Sequence, residues 1–456
     1  MKPTTISIFG LGKLGASMAA AFASKGFRVT GVDINQEAVR ALNEGLAPVT
    51  EPGLPELIRA HRNNLKATLS PEEAIRDSEI SFVIVPTPSD HDGSFSLQYA
   101  KHAFRGIGQA LRAKQAYHTV VMTSTVLPGA TRYGLLPILE RESGKQCGRD
   151  FGLCYNPEFI ALGSVLRDFL NPDFYLLGQL DEKSGDMLEA VHQRVSENRA
   201  PVKRMSLENA ELAKIAVNSF VTMKISFANL MAELCEKLPG GDVDVVSDAL
   251  GMDRRIGRKY LTGGLGFGGP CFPRDNVALE FMGRMLGLDA RLLRANHEYN
   301  RELAPRISEK ILTLLPAGST VAVLGLAYKP HTPVVEESPG VAICRALADG
   351  GFRVIGHDPL AVGEAGGILR YHAVLTSDLS EALESADAVV VTTPDPAYLQ
   401  MQPSEFLRRD KPLMILDPWR CLPPTLREHP QVRYIPLGRA APGDGELVLR
   451  QRWEQG

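Results

Sequence analysis

The sequence predicts an α/β chain with two doubly wound parallel-sheet domains joined by a long central helix, and three observations carry that expectation. Short β-rich runs alternate with helical patterns in the N-terminal half, which is the rhythm of parallel strands with crossover helices. The same rhythm returns in the C-terminal third. Between them, residues 206 to 238 keep a helical pattern with no internal glycine or proline.

The first unit opens with the apolar run Thr5-Ile-Ser-Ile-Phe9, then Gly10-Leu-Gly-Lys-Leu-Gly15, then an alanine-rich helical segment from Ala16 to Lys25. Further strand-like runs are Phe27 to Asp33, Ile80 to Val85, Thr119 to Thr123 and Phe151 to Tyr155. The second unit reads Thr320 to Gly325, a helix from Pro339 to Ala348, then Phe352 to Asp358, Ala388 to Val391 and Leu413 to Leu416. Phe27-Arg-Val-Thr-Gly-Val-Asp33 and Phe352-Arg-Val-Ile-Gly-His-Asp358 agree at five of seven positions. Val85-Pro-Thr-Pro88 and Val391-Thr-Thr-Pro394 end equivalent strands, so two Rossmann-like units are expected.

The copies differ after their first strand. Gly325-Leu-Ala-Tyr-Lys-Pro-His-Thr-Pro333 is too long to mimic a glycine turn, and Ser338-Pro339 reads as the cap and first-turn pair of the next helix. The second unit therefore either binds a nucleotide in another way or serves as scaffold; the crevice at the strand ends favours binding.

The central helix would be about 50 Å long at 1.5 Å per residue. Pro239-Gly-Gly241 ends it, a second helix runs to near Gly251, and a glycine-rich loop follows. Long helices of this kind often form dimer seams, but the same apolar residues would serve equally as intramolecular core.

With 456 residues, 44% hydrophobic and 23% charged, the chain has ordinary globular composition and can bury sizeable cores. A net charge of -3 gives no electrostatic reason to expect nucleic acid. Six cysteines, at 147, 154, 235, 271, 344 and 421, lack paired zinc spacing and the density of a disulfide scaffold, so reduced thiols in the cytoplasm and no metal are expected. No uninterrupted apolar run of about 18 residues is read, hence no membrane span. A strand begins within a few residues of Met1, hence no signal peptide.

The glycine turn follows a strand and opens a helix, the context a dinucleotide site requires. Gly10 permits the bend, Gly12 lets backbone approach a pyrophosphate, and Gly15 lets helix pack on strand. Asp33, at the end of the next strand, would accept from ribose hydroxyls and repel a 2′-phosphate, which favours NAD over NADP. The alternative is a Rossmann-like unit with an empty turn.

The second chemical signal is the loop Gly263-Gly-Leu-Gly-Phe-Gly-Gly-Pro-Cys271-Phe-Pro-Arg-Asp275. Free cysteine is usually buried, but five glycines between 263 and 269 offer backbone N–H groups and close access, and Arg274 favours thiolate. Asp275 reads as the N-cap of a helix beginning at Asn276, a role compatible with chemistry. Lys214 and Asn218 share a helix face, either as an ammonium and an amide aimed at one point or as a solvated polar stripe. Glu158, in Asn156-Pro-Glu158-Phe, sits at a strand end or on a surface turn. Thr125, in Ser124-Thr125-Val-Leu-Pro128-Gly, ends another strand with a hydroxyl.

These motifs, in this order, resemble the nucleotide-sugar 6-dehydrogenases that act on UDP-glucose or GDP-mannose. The resemblance spans Gly10 to Gly15, Val32-Asp33, Pro86-Thr-Pro88, Ser124-Thr-Val126, Asn156 to Phe159, Ala210-Glu-Leu-Ala-Lys-Ile215 with Asn218, Gly266 to Asp275, and Gly325 to Lys329. It implies an NAD-binding domain over 1–200, a central helical dimerisation domain with the cysteine loop over 201–305, and a nucleotide-sugar-binding domain over 306–456. It also implies a homodimer or higher homo-oligomer.

The implied reaction is a four-electron oxidation at sugar C6 to a uronate. Cys271 would attack the aldehyde and Lys214 with Asn218 would stabilise oxyanions. Asp275 with Lys214 would remove protons through water, Glu158 would assist thioester hydrolysis, and Thr125 would position water. By the same resemblance Gly10, Gly12, Leu14, Gly15, Asp33, Pro86, Thr87 and Thr125 hold NAD. Glu158, Lys214, Asn218, Arg255, Tyr260, Gly268, Phe272 and Lys329 contact the nucleotide sugar, Arg255 that of a neighbouring subunit.

Residues 251–260 look closer to UDP-glucose enzymes, and Ser124 to Gly129 also looks like GDP-mannose enzymes; UDP-glucose is favoured. Against the family pattern, Leu162 stands for Glu, Glu336 for Arg and Ala38 for a basic residue, which implies a differently held cofactor, with Arg40 as compensation. Pro270 replaces Ser, and Arg274 replaces Lys. The competing readings are a two-electron alcohol dehydrogenase of the hydroxy-acid type, which would not need Cys271, and a non-catalytic NAD or nucleotide-sugar binder.

Overall fold

Strands that parallel sheets bury on both faces read as near-continuous apolar runs, and here Thr320–Leu324 and Ala388–Val391 do, while Ser7, Ser81 and His118 are buried within the strands Thr5–Phe9, Ile80–Val83 and His118–Met122. The computed structural model describes residues 3–160, 163–406, 412–441, 443 and 445–454. It divides into two compact units, Met1–Val217 with Phe281–Gly287, and Asn218–Glu280 with Leu288–Gly456.

The first unit contains β1 (Thr5–Phe9), β2 (Arg28–Val32), β3 (Leu65–Thr68), β4 (Ile80–Val83), β5 (His118–Met122), β6 (Phe151–Tyr155), β7 (Tyr175–Gln179) and β8 (Val202–Met205). They form one sheet in the order β3-β2-β1-β4-β5-β6-β7-β8, with β6 and β7 antiparallel. β1, β4, β5 and β6 are buried along their whole length. One face packs on the alanine-rich helix Lys13–Ser24, whose small side chains leave room for its own Phe22 to cluster with Phe27, Phe82 and Phe169.

The second unit contains β9 (Thr320–Leu324), β10 (Arg353–His357), β11 (Val374–Thr376), β12 (Ala388–Val391), β13 (Leu413–Asp417) and β14 (Val432–Pro436). All its pairs are parallel, in the order β11-β10-β9-β12-β13-β14. Counted from its own first strand, each sheet thus contains the order 3-2-1-4-5-6. The order in which strands are laid down reverses between β1 and β4, and again between β9 and β12, where such sheets open a crevice.

Two expectations about the second copy are corrected. The segment after β9 is long, yet both ends of a glycine turn are kept. Gly325 has φ +111 where Gly10 has +103. A Cβ on Gly340 would lie 2.1 Å from the Gly325 carbonyl oxygen, as one on Gly15 would lie 1.9 Å from that of Gly10. The extra residues bulge out between two fixed ends, so length did not prevent the packing. Ser338 does occupy the N-cap of helix Pro339–Asp349, but its hydroxyl is buried and makes no capping bond.

The central helix runs from Leu207 to Cys235, followed by the helix Val243–Met252. By length and composition it is apolar enough to cross a membrane. Core helices pass the same test, and Glu211, Lys214 and Asn218 on it are hydrogen-bonded within the protein.

Candidate active site

The N-terminal unit supplies a phosphate cradle. A Cβ on Gly10 would meet the Ile84 carbonyl oxygen at 2.0 Å, so only glycine lets the turn cross the sheet there. Gly12 is the exposed N-cap of helix Lys13–Ser24; it has nothing within 4 Å of its Cβ position, and no side chain caps the helix. The first-turn N–H groups are thereby left to an anion. Asp33 accepts the Leu11 N–H at 2.6 Å and the Asn35 N–H at 2.8 Å, yet stays part-exposed with lone pairs for ribose hydroxyls. Open space above Gly12, unused helix donors and a carboxylate at the end of β2 fit a dinucleotide. Leu14 packs against the core beneath the turn.

Beside it, the ends of β4 and β5 are stapled together. The Ser124 hydroxyl donates to the Val85 carbonyl at 2.7 Å, and Thr87 Oγ1 donates to the Thr125 carbonyl at 2.8 Å. Pro86 is exposed between them. Glu211, from the central helix, accepts the N–H groups of Gly129 and Thr131 at 2.6 and 2.8 Å and so ties this turn to that helix. Burial pushes the Glu211 carboxyl up to about 7.

Asn156 aims the next segment. Its backbone N–H donates to Met122 and its amide to Leu176, while its side-chain oxygen accepts from His192 Nε2 at 2.7 Å. Burial holds His192 neutral, its pKa pushed down to about 3. Glu158 follows, with Lys214 Nζ donating to its backbone carbonyl at 2.6 Å and lying 4.4 Å from the Phe159 ring centre. The residue as a whole is part-exposed, but Oε1 is buried with no hydrogen-bond partner among the described residues. Burial pushes its carboxyl up to about 8, while the Lys214 charge pulls the other way.

The C-terminal unit holds the thiol. Cys271 is exposed and precedes helix Phe272–Met285; its carbonyl accepts the Asp275 N–H at 2.9 Å, which makes it the residue that starts that helix. A thiolate there meets the positive end of the helix dipole. The helix therefore begins four residues earlier than expected, and Asp275 lies in its first turn rather than at the cap. Asp275 is buried, accepts Asn218 Nδ2 at 2.6 Å and has Arg274 Nε at 3.5 Å.

Two asparagine amides hold the glycine loop much as a neighbouring strand would. Asn229 accepts the Gly264 N–H and donates to the Leu265 carbonyl, and Asn300 does both to Phe267. Buried Arg420 donates to the carbonyls of Thr262 and Gly263 and pairs with Asp244. The bulge after β9 closes the loop: Gly269 N–H donates to the Glu336 carbonyl at 2.9 Å, and a Cβ on Gly268 would lie 2.2 Å from the Glu337 carbonyl oxygen.

Each predicted residue can now be placed. Lys214 meets Glu158, Asn218 meets Asp275, Thr87 meets Thr125, and Lys214 and Asn218 stand one turn apart on one continuous helix. Tyr260, at φ +68, packs edge to face on Phe272, and Lys329 follows Tyr328, whose ring centre is 5.6 Å from Lys329 Nζ. Arg255 stands apart, 88% exposed and paired with Asp253.

Among the departures, Ala38 donates its N–H to Asn35, Arg40 lies 4.0 Å from Glu44, and Glu336 has a backbone task in the loop. Leu162 lies outside the described residues. Sequence reasoning missed Glu211, Asn229, Asn300 and Arg420, which act through partners distant in sequence. Only Glu211, three residues before Lys214 on the helix, offers a local signal.

An exposed thiol at a helix start in a glycine loop, and a glycine turn with a carboxylate at the end of the next strand, fit a dinucleotide-dependent oxidoreductase. The chain belongs to the UDP-glucose/GDP-mannose dehydrogenase family, whose NAD binding domain matches residues 4–196, central domain 208–302 and UDP binding domain 322–424. It is an NAD-dependent nucleotide-sugar 6-dehydrogenase.

Among its relatives, UDP-glucose 6-dehydrogenase AglM of Haloferax volcanii is 37% identical over 393 residues, 85% of this chain and 90% of that one. GDP-mannose 6-dehydrogenase of Azotobacter vinelandii is 34% identical over 422 residues, 89% of this chain and 94% of that one. The solved UDP-glucose dehydrogenase of the hyperthermophilic archaeon Pyrobaculum islandicum superposes with a TM-score of 0.85 at 35% identity, covering 96% of this chain and 98% of that one.

Proposed function

We propose that the chain oxidises UDP-glucose to UDP-glucuronate, with Cys271 as nucleophile. The observation that carries this reading is the exposed Cys271 thiol at the start of a helix whose first turn holds Asp275 and, through it, Asn218. Higher identity to a UDP-glucose enzyme than to a GDP-mannose one supports the substrate.

NAD+, when bound, supplies the hydride acceptor for both oxidations. Asp275 and Lys214 take the proton of the C6 hydroxyl through water as the first hydride leaves C6. The Cys271 thiolate then adds to the aldehyde carbon, and Lys214 and Asn218 stabilise the oxyanion. Loss of a second hydride leaves a thioester. Water held by Thr125 and assisted by Glu158 adds to that carbon, the C–S bond breaks, and the thiolate returns. Tyr260, Phe272, Gly268 and Lys329 bind the nucleotide sugar, and Arg255 serves a neighbouring subunit's site. The thiolate chemistry suits the reducing cytoplasm.

The reading includes a homodimer. Phe220, Phe227 and Leu234 recur at heptad spacing on the central helix and are 66%, 48% and 47% exposed, a seam of the kind a second copy covers.

The test is the number of NADH formed per sugar with UDP-glucose and GDP-mannose offered separately, and again with Cys271→Ser. Two NADH per UDP-glucose, with carboxylate formation lost in the variant, is the expected result. One NADH per sugar, or undiminished uronate from Cys271→Ser, rules the thioester route out.

A further inference from the structure

We propose that Tyr328 is a positioning residue for the nucleophile, its ring clamping Gly269 so that the Cys271 thiol is held at the start of its helix. The inference rests on the reading of Cys271 as nucleophile and adds to it a residue in the bulge of the second sheet.

The clamp is geometric. A Cβ on Gly269 would lie 2.5, 2.6 and 3.0 Å from Tyr328 Cε2, Cδ2 and Cζ, so the Cδ2–Cε2 edge of the ring lies against that backbone. Gly269 has φ +82, a conformation L side chains rarely adopt, and its N–H is tied to the Glu336 carbonyl. Only Pro270, with a ring-fixed φ, separates it from Cys271. The thiol's backbone is thus fixed from both sides, by the ring and by its own helix.

Tyr328 is in turn set by its N–H bond to the Val334 carbonyl at 3.0 Å. Its phenol is half-buried, and burial together with the negative charge of a Cys271 thiolate pushes its pKa up to about 12. It therefore remains an uncharged ring through the working pH range. Its chain neighbour is Lys329, so the segment that carries a substrate-binding cation also carries the clamp.

The test uses the full-length enzyme with Tyr328→Phe and Tyr328→Leu. The pH dependence of iodoacetamide alkylation at Cys271 is followed by peptide mass spectrometry, beside kcat and KM for UDP-glucose. Tyr328→Phe keeps the ring and its clamp, so kcat and the alkylation midpoint should match the parent's, whereas Tyr328→Leu should move the midpoint. Tyr328→Leu removes the clamp and should lower kcat at least about ten-fold with KM within roughly two-fold.

An alkylation midpoint and kcat unchanged in both variants, or a rise in KM alone, overturns the proposal. If the midpoint shifts but Cys271→Ser still makes uronate, the contact stands and the nucleophile reading fails, so the two failures are told apart.

Discussion

Glu158 carries the clearest pH signature of any single residue. Its carboxyl, at about 8 in the folded protein, lies above its ordinary 4.5 because burial disfavours the charge. Between those values the folded protein holds a proton that the unfolded chain has released. The stability this adds is complete below pH 4.5 and lost as pH rises through 8. Glu158→Gln is always neutral, so urea melts should show it gaining on the parent by on the order of 2 kcal/mol between pH 6 and 9. Parallel pH profiles for the two proteins would contradict that burial. At this scale the sequence was only half legible. Glycines around Cys271 announced an accessible thiol, and Asn-Pro-Glu at a strand end announced a carboxylate. Asp275 was misplaced because Pro273 looks like a helix breaker, whereas proline is well tolerated in a first helical turn.

At the scale of elements, buried parallel strands announce themselves and edge strands do not. β9 and β12 are β-branched runs without polar alternation, and β1, β4 and β5 are buried throughout although Ser7, Ser81 and His118 stand in them, whereas β3 and β11 are short, partly exposed edges with no apolar run. The central helix was legible in length but not in allegiance. Some of its apolar residues are buried, among them Leu207, Ala210, Ile215, Ala228 and Ala232, and others stay in solvent. If the exposed row is the dimer seam, Phe227→Glu should halve the mass measured by light scattering at micromolar concentration while leaving far-UV circular dichroism unchanged. An unaltered mass would assign the row to another role.

At the scale of the whole molecule, one sheet plan is used twice and its acidic residue is used differently. Asp33 accepts two backbone N–H groups and keeps an exposed side. Asp358, at the matching strand end, is 4% exposed and accepts four, from Leu326, Ala327, Leu360 and Ala361. Asp33→Ala should therefore weaken NAD+ binding about ten-fold or more by losing ribose hydrogen bonds. Asp358→Ala should leave NAD+ affinity alone and cost at least about 3 kcal/mol by orphaning buried donors. Calorimetry and denaturant melts on both variants would separate the two, and equal losses of affinity would refute the division. The letters Phe-Arg-Val and Gly with Asp made the duplication readable, but not which aspartate was sealed, since that depends on a loop folding back.

The cysteine loop has a corollary for reading motifs. Its supports come from Asn229, Asn300, Glu336 and Arg420, positions scattered over nearly two hundred residues. A fragment ending at residue 330 would contain every letter of the glycine–cysteine signature yet lack two of its four anchors. The signature marks where the proposed nucleophile is, but the shape that holds it is written elsewhere in the chain.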